Sequence, residues 1–92
     1  MYTLLSIMNQ DTNTIRQKVQ QYVLQESFAE KNKIHDDSLI FKEGFFDSMG
    51  FVRLITYIED EFKIKTVDAD LIEANFESIN AITDFVSLKT KD

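Results

Sequence analysis

Cysteine and proline are absent from the 92 residues, glycine occurs twice and histidine once. Without cysteine there is no disulfide framework, no thiolate metal site and no cysteine nucleophile. That pattern fits a reducing compartment, so a cytoplasmic protein is expected. The single histidine, His35, lies in a polar stretch, and no serine sits in a Gly-x-Ser-x-Gly turn, which leaves a hydrolase triad without members. No catalytic residue is expected. Asp68 and Asp70 have the spacing of the first two ligands of a calcium loop. Ile72 and Glu73, however, stand where that loop needs an oxygen ligand and a glycine, so no metal site is expected either. Long apolar runs are also missing. Met1 to Met8 is mildly apolar but carries no basic segment and is too short to span a bilayer or act as a signal sequence, so membrane insertion is not expected. Basic residues are outnumbered ten to sixteen by acidic ones, and the net charge of -6 repels phosphate backbones, which argues against nucleic acid as a partner.

What remains is 43% hydrophobic residues in a length that suits one compact domain, with so few chain breakers that helices are favoured over a turn-rich sheet. The side chains of Asp11 to Asn13 can cap a first helix, in which Ile15, Val19, Tyr22 and Val23 recur at helical spacing. Its end is open, because Ala29 to Lys33 tolerates helix, whereas Asn32 and the Asp36-Asp37-Ser38 cluster mark a loop. Leu39, Ile40, Phe41, Phe45 and Phe46 make that long loop too apolar to hang free, so it should fold back on the core. A second helix is predicted from Asp47 or Ser48 to Phe62. Its stripe of Phe51, Leu54, Ile55, Ile58 and Phe62 faces inward, while Met49, Val52, Arg53, Thr56 and Asp60 point outward with Glu59 at the margin. Lys63 to Val67 reads as a connector. Asp70 and Glu73 have capping-box spacing before a short helical turn around Leu71 to Ala74. Ser78 is the expected N-cap of a last helix that buries Ile79, Ile82, Phe85 and Val86. The fold expected is all-α, a three- or four-helix bundle with a long first loop and a short third helix.

The stretch Glu43-Gly44-Phe45-Phe46-Asp47-Ser48-Met49-Gly50-Phe51-Val52 places a glycine, two aromatics, an acid and a serine at the mouth of the strongest helix. It resembles the acyl carrier and peptidyl carrier protein family, whose signature is a Gly-x-x-Asp-Ser-Leu/Met run leading into an amphipathic helix that ends in acids and phenylalanine. Gly44, Asp47, Ser48 and Met49 match in place. The similarity continues through Leu54, Ile58, Glu59-Asp60-Glu61-Phe62, Asp68-Ala69-Asp70-Leu71 and Asn75-Phe76-Glu77-Ser78-Ile79. It implies a carrier domain over 12–89, flanked by tails at 1–11 and 90–92. It further implies a 4′-phosphopantetheine arm on Ser48, taken from coenzyme A by a phosphopantetheinyl transferase and holding acyl or aminoacyl cargo as a thioester. Asp47 would help position metal or serine during that transfer, or simply cap the helix.

Partners implied by the resemblance are the transferase, an acyl- or aminoacyl-activating ligase, and a downstream transferase or synthase of fatty acid or secondary metabolite synthesis. They are expected to meet Met49, Val52, Arg53, Glu59 and Asp60, the outward face beside Ser48, on a monomeric carrier. Many fatty-acid carriers have acids soon after the serine, where this chain has Gly50 and Arg53, so a specialised pathway fed by an amino-acid-activating ligase remains open. The competing reading is a small acidic helical adaptor that uses the same face without any covalent group.

Overall fold

A computed structural model describes residues 11–27 and 33–90. The expected tail over 1–11 lies outside the described residues apart from Asp11, as do the undecided stretch over 29–33, apart from Lys33, and the last two residues. Four α-helices are formed among the described residues: α1 Thr12–Glu26, α2 Ser48–Phe62, α3 Glu73–Phe76 and α4 Ile79–Lys89, with a 3-10 turn at Asp68–Asp70 before α3. Among the described residues there is no strand. Within those residues no helix is long and apolar enough to cross a membrane.

Capping side chains set most of the helix starts. Asp11 accepts the Thr14 amide at 2.8 Å, and Ser78 accepts the Ala81 amide at 3.0 Å, each satisfying a donor that the first turn leaves unpaired. The expected capping box before α3 does not form. α3 begins two residues later than Leu71, with Ile72 as an uncapped N-cap residue, and Asp70 instead turns back to accept the Val67 amide at 3.0 Å and the Lys89 ammonium at 2.7 Å. Local spacing could not anticipate this, because Lys89 reaches Asp70 only through the packing of α4.

The core is one cluster in which Ile15, Val19, Leu54, Ile58, Phe76, Ile82 and Val86 are fully buried. α1 packs along α4, and α3 packs on α4 as well. α2 closes against α1 through Tyr57, whose ring stacks on Tyr22 at 4.1 Å and whose hydroxyl donates to the Lys18 carbonyl at 3.2 Å. Burial, with the nearby Glu61 charge and Tyr22, pushes the Tyr57 phenol up to about 12, so it stays a donor at any physiological pH.

The long loop folds back as its composition demands. Ile40 is fully buried and Phe46 nearly so, while Phe41 and Phe45 pack partly buried against the core. Two backbone bonds fasten it to the other end of the chain: the Ile40 amide donates to the Glu77 carbonyl and the Asn80 amide to the Asp36 carbonyl, both at 2.9 Å. Arg16 reinforces the second by pairing with Asp36 and donating to Asn80. The loop therefore delivers its last residues to α2 from a fixed base.

Candidate functional site

The site is built by a turn, a cap and a close approach, in that order along the chain. Gly44 has φ +84°, and its amide donates to the Phe41 carbonyl while the next amide, Phe45, reaches back to the Ile40 carbonyl. This pair of bonds is a Schellman motif, which needs a left-handed residue at the Gly44 position and so explains glycine there. The chain leaves it with Phe46 directed inward and Asp47 extended. Asp47 then caps α2: its Oδ1 accepts the Gly50 amide at 2.8 Å.

Because Asp47 is the cap, Ser48 becomes the first residue of α2, exposed, and its hydroxyl has no partner among the described residues. The amides of Ser48 and Met49 are likewise unpartnered, so the end of α2 presents donors and the positive end of its dipole beside an exposed serine hydroxyl. A phosphodiester on Ser48 fits this surrounding. Its charge would meet the free N–H groups of Ser48 and Met49, while Oδ1 of the neighbouring Asp47 is engaged with the Gly50 amide.

Gly50 is buried, in contrast to its neighbours on the outward face. A Cβ built there would lie 2.8 Å from Cδ2 of Phe46, closer than carbon atoms pack. Glycine at this position is what lets Phe46 lie flat against the start of α2. Any side chain at this position would require Phe46 to shift.

An open groove of about 660 Å³ runs beside Ser48, lined by Phe41, Phe46, Asp47, Ser48, Phe51, Val52, Glu73 and Phe76. Its aromatic residues form part of a continuous edge-to-face chain in which Phe41 meets Phe46 and Phe51, Phe51 meets Phe76, and Phe76 meets Phe85 of α4. Such contacts favour set ring angles, so the groove wall is built of mutually packed rings. Sequence reasoning put Phe46 in the run at the mouth of α2 but did not place Phe41, Phe76 or Glu73 at the site. The density of phenylalanines just before Ser48 was a usable signal for Phe41, whereas Glu73 and Phe76 arrive only through the packing of α3.

The outward face divides. Met49 and Val52 are 58% and 55% exposed, and Asp60 and Arg53 are exposed as well. Arg53 is felt by α1: the Tyr22 phenol, raised by burial and by Glu26, is drawn back down by the Arg53 charge. Glu59 is not a free acid, since its Oε2 accepts both the Thr66 amide at 2.9 Å and the Thr66 hydroxyl at 2.7 Å. Those bonds hold its carboxyl below the ordinary range and fasten the connector after α2. His35 is exposed in the loop, with its backbone amide donating to Ser38. Among the described residues no cluster of His, Cys, Asp and Glu could hold a metal ion.

A family model described as a phosphopantetheine attachment site matches residues 17–86, which include both ends of the groove and the whole of α2. No curated protein matches the chain.

Proposed function

The chain belongs to the phosphopantetheine attachment-site family, whose members carry 4′-phosphopantetheine covalently on a serine, and from that premise we propose that Ser48 is that serine. The observation that carries the choice is the division of labour at the start of α2: Asp47 takes the cap, and the Ser48 hydroxyl is left exposed with no internal bond to break. In the transfer Ser48 supplies the attacking oxygen. Its Oγ–P bond forms as the bond to the adenosine bisphosphate part of coenzyme A breaks, and the hydroxyl proton passes to a base on the transferase. Asp47 keeps Oδ2 free for a donor or metal ion held by that enzyme.

When bound, the arm supplies a terminal thiol that holds acyl or aminoacyl cargo as a thioester. The protein itself supplies placement. The free amides of Ser48 and Met49 hold the phosphodiester, and the aromatic groove gives the arm and its cargo a surface next to the attachment point. Family domains are carriers rather than catalysts, and this reading extends to the chain: the domain spans 12–89 and has no activity of its own. Met49, Val52, Arg53 and Asp60 serve as the docking face for the transferase, an activating ligase and a downstream transferase or synthase. Glu59 holds the connector in place beside them.

The exposed Met49 and Val52 also favour the adaptor reading, in which the same face binds a partner without a covalent group. Intact mass separates the two. Incubation with coenzyme A and a broad-specificity phosphopantetheinyl transferase should add one phosphopantetheine to the wild type and none to Ser48→Ala. An unmodified wild type, or an increment that persists in Ser48→Ala, overturns the assignment.

A further inference from the structure

The groove beside Ser48 is aromatic on most of its wall, yet it carries a carboxylate, Glu73, that makes no hydrogen bond or ion pair with any described residue. Asp47, the other acid of the wall, is half engaged as the cap of α2. No basic side chain lines the groove. A purely aliphatic acyl chain would bury methylenes against Phe41, Phe46, Phe51 and Phe76 but would gain nothing from the Glu73 carboxylate. An acyl group bearing an ammonium next to an apolar side chain uses both parts. The apolar portion lies on the rings, and the cation meets aromatic faces and an unpaired carboxylate at once.

We propose that the groove selects the docked state of an aminoacyl thioester with an apolar side chain, and that Glu73 is the residue that reads its ammonium. This rests on the attachment of the arm to Ser48. Glu73 is suited to the task by its position. It is the first residue of α3, exposed, and α3 itself is held on α4 by Phe76 and by the Asp70–Lys89 ion pair just before it, so the carboxylate is presented from an anchored element. The sequence leaves the cargo open between acyl and aminoacyl. The groove favours the aminoacyl class, because the charged groups on its wall, Asp47 and Glu73, are of one sign only.

The test uses two cargoes of the same shape, leucyl and 4-methylpentanoyl, which differ by the ammonium group. Each is attached from its coenzyme A thioester by the transferase, and intact mass verifies loading first. Amide chemical shifts of Gly50, Phe51, Glu73 and Phe76 are then compared with those of the arm carrying no cargo. The leucyl form is expected to show roughly two- to five-fold more docked arm than its isostere, the range that an exposed cation contact provides. Glu73→Gln should remove the difference between the two cargoes. Equal perturbation by both cargoes in the wild type, or a difference that survives Glu73→Gln, overturns the proposal. A wild type that takes no mass increment overturns the attachment to Ser48 instead. The groove is then tested on the unmodified protein with free leucyl and 4-methylpentanoyl pantetheine, where the same preference and its loss in Glu73→Gln are expected and equal shifts refute it.

Discussion

Oδ1 of Asp47 accepts the Gly50 amide at 2.8 Å, and this bond frees Ser48 from any structural duty at the start of α2. The two residues are neighbours with opposite roles. Asp47→Ala should lower stability by about 0.5–2 kcal/mol, the usual cost of a lost cap, while Ser48→Ala should change it by no more than about 0.5 kcal/mol. Thermal melting of both variants checks the difference, and a larger loss for Ser48→Ala would show that the serine helps hold the helix.

Gly50→Ala sets helix propensity against packing. An exposed helical glycine replaced by alanine gains about 1 kcal/mol, but here the new Cβ would meet Cδ2 of Phe46 at 2.8 Å. Phe46 is nearly buried and cannot swing freely, so a net loss of about 1 kcal/mol or more is expected. Denaturant unfolding reads the sign directly. A stabilised variant would mean that Phe46 relaxes without penalty.

Reversal of charge on the docking face is best made at Asp60. It is exposed and unpartnered among the described residues, whereas Glu59 is committed to Thr66. Asp60→Lys should slow modification by the transferase about two- to ten-fold at low salt and leave a weaker salt dependence, with stability nearly unchanged. Modification rates measured across a salt series give the answer, and identical rates would remove this acid from the interface.

In α4, Thr83 is fully buried, and its hydroxyl has no hydrogen-bond partner among the described residues. A buried hydroxyl without a partner costs about 1–3 kcal/mol in desolvation, so Thr83→Val should be neutral or stabilising, unlike most core substitutions. A lowered melting temperature would point to a bond that the hydroxyl makes in solution.

Acid should unfold the protein partly through Asp70 and Glu59. Asp70 is held below the ordinary aspartate value of 3.8 chiefly by its bond with Lys89, and Glu59 below 4.5 by the Thr66 amide and hydroxyl. Carboxyls depressed in the folded state protonate first in the unfolded chain, so their contribution is intact above those ordinary values and disappears as pH falls below them. Stability measured between neutral pH and pH 3 should fall. Asp70→Asn should make that fall shallower, and an unchanged profile would show that the Lys89 pair contributes nothing.

The periodicity of α1, α2 and α4 was readable along the chain because each helix buries a stripe set by its own 3.6-residue repeat. The capping roles of Asp11 and Ser78 and the inward turn of Ile40 and Phe46 followed from residue type and local composition. The Gly44 to Met49 run, too, is local, which is why its resemblance to carrier proteins could be recognised before any fold was known. The groove is of another kind. Phe41 and Phe46 enter it from the loop, Phe51 and Val52 from α2, and Glu73 and Phe76 from α3, so its shape and charge exist only once the loop is tied to Glu77 and Asn80 and α3 is packed on α4. The failed capping box has the same cause. Asp70 had the right spacing to Glu73, but the ammonium of Lys89, 19 positions along the chain from Asp70, is brought within 2.7 Å by the bundle and draws the carboxylate away. Spacing determines which residues share a helix face or turn, whereas contacts between distant segments depend on how the helices pack, and packing decided both the groove and the site beside Ser48.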